Sequence, residues 1–197
     1  MRIGVFGGSF DPPHVGHLLA AQDAAEALAL DLVLFVPTSA QPLKAGRESA
    51  PAGDRLEMVR LTIGDDPRFA AESAEVERGG LSYTVDTLRA LRRKWSDDAA
   101  EFVLLLGADA AAQFPQWKDG DVIRSMAEVR VLTRGEAPGR LAEGMEAVPT
   151  RRVDISSTEV RVRVRAGKPV RGMVTDHVAA YIAARGLYCL TERQGGC

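Results

Sequence analysis

The chain has 197 residues, 46% of them hydrophobic, enough for one domain with a well-buried core. Its 25 Lys plus Arg against 27 Asp plus Glu leave a net charge of -2, so no broad basic surface is available and nucleic acid is not an expected partner. The 2 cysteines, Cys189 and Cys197, give neither a disulfide framework nor a metal-ligand spacing; with no charged-then-apolar leader and no apolar run of roughly 18 residues, a soluble cytoplasmic protein with no membrane partner is expected.

Ile3 to Phe6 is short, apolar and partly β-branched, which predicts a buried strand, and Gly7-Gly8 predicts a sharp turn close to a ligand. Pro12-Pro13 stiffens the turn, and Pro is tolerated at the first helical position, so a helix is expected to begin near Pro13 or His14. Its unbonded N-H groups would make an anion site. His14 and His17 are three apart, on one face of that first turn, and are two of the chain's 3 histidines. Taken alone they fit either a pair of partly exposed helix histidines or a phosphate-binding pair. Gly16 between them costs roughly 1 kcal/mol against alanine, which favours a site where something approaches the backbone. Neither G-x-G-x-x-G nor G-x-x-x-x-G-K-[ST] is present.

At these residues, Gly-Gly-Ser-Phe-Asp-Pro-Pro-His-x-Gly-His, the chain resembles the nucleotidylyltransferase superfamily, marked by His-x-Gly-His at the first helix of a Rossmann-like domain. It is most similar to the nicotinate-mononucleotide adenylyltransferases. The resemblance implies ATP with its phosphates over the helix start, held by His14, His17 and backbone N-H groups around Gly8, Ser9 and Phe10.

Leu18 to Leu30 repeats apolar residues at helical spacing, and Asp31 to Val36, closed by Pro37, reads as a second buried parallel strand, completing a right-handed βαβ unit. Pro37 to Gly53 is then a loop at the carboxyl end of that strand, where ligands of open α/β sheets bind. Lys44 there is a solvated lysine or a phosphate contact. The family commonly carries Pro-Pro-His-Lys at this point, and here Leu43 stands in place of the histidine. Asp54 with Glu57 predicts a capped helix ended by Gly64, and Arg68 to Ala71 a short strand. Ser82-Tyr83-Thr84 precedes Val85, Leu88 and Leu91 at helical spacing. Locally this is an N-cap; a similar segment in the family helps bind the nicotinate carboxylate.

Glu101 to Leu106 is the most apolar strand candidate, and Gly107-Ala108-Asp109 after it puts a carboxylate at the sheet edge, in reach of ribose hydroxyls. Trp117 is a core residue or, beside Pro115, an exposed ring for stacking. Gly-Ala-Asp-x5-Pro-x-Trp is similar to the family segment that stacks the pyridine ring, and Lys118 joins the expected acceptor set. A helix over Asp119 to Met126, a strand over Val129 to Leu132, Arg134 in a loop as a further ATP contact, and an edge strand over Ala147 to Val153 follow. Ser156 and Ser157 with Arg161 one turn on are a plain cap with a solvated arginine or a second phosphate cradle. The stretch matches the superfamily's Ile-Ser-Ser-Thr-x-x-Arg. Val174 to Arg185, stopped by Gly186, is the last helix; His177 sits on its surface, and Tyr188 to Leu190 packs back.

The reading is a doubly wound α/β fold, a single Rossmann-like domain of parallel strands flanked by helices over residues 1-191, with 192-197 a disordered tail. The resemblance implies adenylyl transfer from ATP to nicotinate mononucleotide, with His14, His17, Lys44 and Arg161 offsetting triphosphate charge, Mg2+ riding on the phosphates and no protein metal ligand. A pantetheine-phosphate adenylyltransferase shares both end motifs but has no need of Trp117 or Ser82 to Thr84. A non-catalytic nucleotide sensor has no reason to keep two histidines in line with Arg161.

Overall fold

In the computed structural model, residues 1-40, 49-95, 100-135 and 141-189 are described. Their elements run β1 (Arg2–Gly8), α1 (Val15–Ala27), β2 (Leu32–Pro37), α2 (Ala52–Ile63), β3 (Phe69–Ala71), α3 (Ala74–Arg78) and α4 (Thr84–Lys94). The second half is β4 (Glu101–Gly107), α5 (Ala108–Gln113), a 3-10 turn (Phe114–Gln116), α6 (Gly120–Met126), β5 (Glu128–Arg134), β6 (Met145–Thr150), α7 (Ser157–Arg165) and α8 (Asp176–Arg185). The strands form a 6-stranded sheet in the order β3-β2-β1-β4-β5-β6, with every neighbouring pair parallel. That is the doubly wound order, in which the chain leaves the middle of the sheet in opposite directions from β1 and β4. The crevice between them at the carboxyl ends is where such sheets bind ligands.

Strand periodicity sorts the core into two layers. Ile3, Val5, Leu34, Val36, Phe102, Leu104 and Leu106 face Val85, Leu88 and Leu91 of α4. The alternate residues Val33, Phe35, Val103 and Leu105 face Ala21, Ala24 and Ala25 of α1 and Val59 of α2. A third cluster joins Met58 of α2 to Val160 of α7 and Val178 and Ile182 of α8. It fastens the helices that follow the sheet onto the helix after β2.

Several local expectations change. Gly7 and Gly8 do not turn; they pair with Val36 and Pro37 as the end of β1, and the turn falls on Ser9 to Pro13, where Phe10 takes φ 47°. Asp54 does not cap α2, whose N-cap is Pro51. Inside the first turn it accepts from Tyr181 Oη at 2.8 Å and Arg185 Nε at 3.1 Å, so a carboxylate that fits a capping pattern ties α2 to α8 instead. Glu75 lies in a short helix, α3, between β3 and the Ser82 to Thr84 segment. The last strand starts earlier than its apolar run, at Met145, and it is the sheet edge, which is where Pro149 is tolerated.

Candidate active site

β1 carries the chain to the middle of the sheet's carboxyl edge, and the next residues shape that edge. Phe10 tucks its ring, 1% exposed, among Phe6, Phe35 and His17. A Cβ on Gly8 would come within 3.0 Å of this ring, so glycine is needed there for the loop to fold under itself. His14 is the N-cap of α1. Its backbone N-H donates to Nδ1 of His17 at 3.1 Å, and the two rings stack at 3.7 Å between centroids. With Nδ1 of His17 accepting, the neutral ring carries its proton on Nε2, so the donor edge is the one away from its own backbone. The close approach expected at Gly16 is present, but the approaching group is His14: a Cβ at Gly16 would meet its Nδ1 at 3.0 Å. Glycine at this position makes room for the histidine ring.

The second phosphate motif supports this loop from behind. Ser157 Oγ donates to the Pro12 carbonyl at 2.7 Å, and Arg161 Nη1 donates to the Asp11 carbonyl at 2.6 Å. Ser156 acts as the N-cap of α7, accepting from the Glu159 N-H at 3.1 Å, so its hydroxyl plays the plain structural part. The Asp11 carboxylate, 5% exposed, accepts from the Ala50 N-H at 3.0 Å and from Tyr188 Oη at 2.8 Å, both at Oδ1, while Arg161 stands 3.8 Å from Oδ2. Burial and the Asp11 charge push the Tyr188 hydroxyl far up from its ordinary value, so it stays a donor. Arg55, 3% exposed, donates to the carbonyls of Ala50, Ser9 and Ser39. Burial pulls its guanidinium down, and Asp11, Tyr188 and Glu75 pull it back up. Asp11, Arg55 and Tyr188 were not among the expected site residues. Their partners come from up to 177 positions away, so no local pattern marks them.

One cleft of about 1320 Å³ opens over this edge. It exceeds the roughly 300–1,000 Å³ of a site for one small ligand. Gly8, Ser9, Phe10, His14 and His17 form one wall, and Asp109 lies at its rim after β4. Ser82, Tyr83, Thr84, Trp117 and Lys118 form the opposite wall. Trp117 is half-buried with its ring 5.3 Å from that of Phe114, which combines the two expectations: one part packs and the residue still lines the cleft. Lys118 Nζ sits 4.9 Å from the centre of the Tyr83 ring and 3.7 Å from Asp86. Ser82 Oγ accepts from the Ser39 N-H at 2.9 Å, and α4 takes Tyr83 as N-cap with no side-chain cap bond, so the hydroxyls do not close that helix start. Ser157 and Arg161 bond to carbonyls of the motif loop, but neither they nor Ser156 are among the residues that line the cleft. Arg134 is the last residue of β5. Lys44 and Leu43 lie outside the described residues, as does the 192-197 tail. Sequence reading also missed Glu75, Thr87 and Arg152, all of which line the cleft.

A doubly wound parallel sheet with two helix starts and a glycine-containing loop gathered at its switch point is an arrangement shared by nucleotide-binding proteins. The cytidylyltransferase-like family model matches residues 5–163, and the chain belongs to that family. It is 50% identical over 198 residues to "Probable nicotinate-nucleotide adenylyltransferase" of Gemmatimonas aurantiaca, covering 95% of this chain and 92% of that protein. To the protein of the same name from Roseiflexus sp. it is 43% identical over 196 residues, covering 94% and 97%. Within the family the chain therefore groups with the nicotinate-nucleotide adenylyltransferases. The fold is also that of the Plasmodium falciparum nicotinic acid mononucleotide adenylyltransferase complexed with NaAD, at a TM-score of 0.77 and 16% identity over 95% of this chain and 97% of that one.

Proposed function

We propose that this protein transfers the adenylyl group of ATP to nicotinate mononucleotide, giving deamido-NAD and pyrophosphate, as a cytoplasmic enzyme of NAD biosynthesis. The observation that carries the reading is the single cleft shared by the His14 and His17 wall and the Ser82 to Thr84 and Trp117 wall, which provides for a triphosphate on one side and a planar acidic acceptor on the other. An oxygen of the acceptor's 5'-phosphate attacks the α-phosphorus of ATP. The bond from that phosphorus to the bridging oxygen breaks, and pyrophosphate leaves with the electron pair. A phosphate monoester has its second pKa near 6, so the nucleophile is mostly dianionic at neutral pH and needs no general base. The protein's part is positioning and charge stabilisation.

In this reading the Nε2 donor of His17, His14 and the backbone N-H groups of Gly8 to Phe10 hold the phosphates, with Asp109 toward the ribose and Arg134 and Arg161 adding positive charge. Arg161 and Ser157 also fix the carbonyl side of the loop, which leaves its other side to face ATP. Nucleotidyltransferases generally act on ATP together with a divalent metal ion. We assign Mg2+ to the triphosphate itself, with no protein ligand. Bound there, it would neutralise phosphate charge. No helix among the described residues is long and apolar enough to cross a membrane. The test is pyrophosphate release from ATP with nicotinate mononucleotide, its amide and phosphopantetheine as acceptors. The acid mononucleotide should give the highest kcat/KM; a preference for phosphopantetheine would overturn the reading.

A further inference from the structure

The wall assigned to the acceptor contains an unexpected acid. Glu75 of α3 is 5% exposed and lines the cleft beside Ser82, Thr84 and Thr87. Its Oε1 accepts a short hydrogen bond from Thr87 Oγ1, while its Oε2 is buried with no hydrogen-bond partner. It makes no ion pair among the described residues. A buried carboxylate with one oxygen unsatisfied is costly when charged, and it stands behind the start of α4, where a ring carboxylate would be received. Thr87 is only three residues into the helix from Thr84, a rise of about 4.5 Å, so a charge on Glu75 would lie within roughly 6–8 Å of the first N-H groups of α4. At that separation a like charge weakens binding on the order of tenfold to fiftyfold.

We propose that Glu75 determines the acceptor preference of this cleft: neutral, it admits the pyridine carboxylate of nicotinate mononucleotide, and ionised, it repels it while leaving the uncharged amide acceptor unaffected by that repulsion. This inference rests on the cleft being the acceptor site described above. Burial raises the Glu75 carboxyl above its ordinary value, and the Thr87 hydroxyl and the charges of Arg78 and Arg55 lower it. Arg78 belongs to α3 and Arg55 to α2, while Lys118 and Asp86 flank Tyr83 on the α4 side. Glu75 is thus a positioning and charge-setting residue that acts through the α4 helix start. The Ser82 to Thr84 segment contains no arginine or lysine, and the cation nearest it in this wall, Lys118 over Tyr83, faces the Asp86 carboxylate, so the state of Glu75 changes the local charge that an incoming carboxylate meets.

The test is the ratio of kcat/KM for the acid and amide mononucleotides, with saturating ATP, from pH 5.5 to 9. Effects on ATP, the histidines and the shared 5'-phosphate appear in both numerator and denominator and cancel. In the unaltered protein the acid-to-amide ratio should fall about tenfold or more as pH rises through the Glu75 titration. Glu75→Gln, neutral at every pH, should hold the ratio flat. Thr87→Val removes a hydroxyl that favours the charged form, so it should move the fall to higher pH, a shift that a merely structural role would not produce. Proton uptake on binding nicotinate mononucleotide, measured by calorimetry in two buffers, should be present in the unaltered protein and reduced in Glu75→Gln. A flat ratio in an active unaltered enzyme, or the same fall in Glu75→Gln, overturns this inference alone. Pyrophosphate release with neither mononucleotide overturns the reading of the cleft and this inference with it.

Discussion

Gly16→Ala separates what the first helix needs for stability from what it needs for chemistry. In a helix, alanine is favoured over glycine by up to about 1 kcal/mol, and position 16 is the second residue of α1. Against that gain, the new Cβ would stand 3.0 Å from Nδ1 and 3.1 Å from Cε1 of His14, with Val153 at 3.4 Å behind it. Relief requires His14 to give by a few tenths of an ångström, and overpacking of this kind costs roughly 1–3 kcal/mol. The two terms nearly offset, so the melting transition should change by no more than about 1–2 kcal/mol. Turnover behaves differently. His14 stacks on His17 at 3.7 Å, so displacing one ring displaces the other, and misplacing catalytic donors by a fraction of an ångström to 1 Å costs up to about a hundredfold. The assay is kcat by pyrophosphate release, paired with chemical denaturation of the same preparation. A variant that keeps parental kcat would refute the claim that the His14 ring must occupy its observed place.

His17→Ala should lower kcat by roughly 3–4 kcal/mol of lost transition-state stabilisation with a much smaller change in ATP binding, which steady-state kinetics beside an ATP titration will resolve. Trp117→Ala should weaken the pyridine nucleotide by about 1–3 kcal/mol while leaving the KM for ATP nearly unchanged; equal effects on both would return the ring to a purely packing role. Tyr188→Phe removes a hydrogen bond to the buried Asp11 carboxylate, 2.8 Å long, and should cost about 1.5–3 kcal/mol of stability in urea denaturation. Because Asp11 anchors the motif loop, the same variant should raise the KM for ATP more than that for the acceptor.

The sheet was legible because its signals are local. Buried strands such as Leu32–Pro37 and Glu101–Gly107 are continuous apolar runs bounded by breakers, and chain order with short connections leads to the parallel, doubly wound arrangement. That His14, His17, Trp117 and Ser82 to Thr84 line one cleft was foreshadowed by their resemblance to short family motifs, since local spacing alone left each with a plain structural alternative. What could not be read is what depends on distant partners. Asp11 meets Ala50, Arg161 and Tyr188, and Asp54 meets Tyr181 and Arg185; either aspartate looks in sequence like an ordinary turn or cap residue. Gly7-Gly8 was misread because glycine at a strand end can mean close packing as well as a turn, and Phe10 folding beneath Gly8 decides between them. Glu75 escaped because its burial is set by how α3 lies against its neighbours, which its polar local sequence does not reveal.

Direct adenylyl transfer to the acceptor is tested most simply by following the α-phosphorus. With ATP labelled at that atom and nicotinate mononucleotide present, the label should appear in deamido-NAD, one equivalent for each pyrophosphate released. With ATP alone there should be neither labelled protein nor a burst of pyrophosphate. Label trapped on the protein before the acceptor is added, or label appearing only as AMP, would contradict in-line attack by the acceptor phosphate in this cleft.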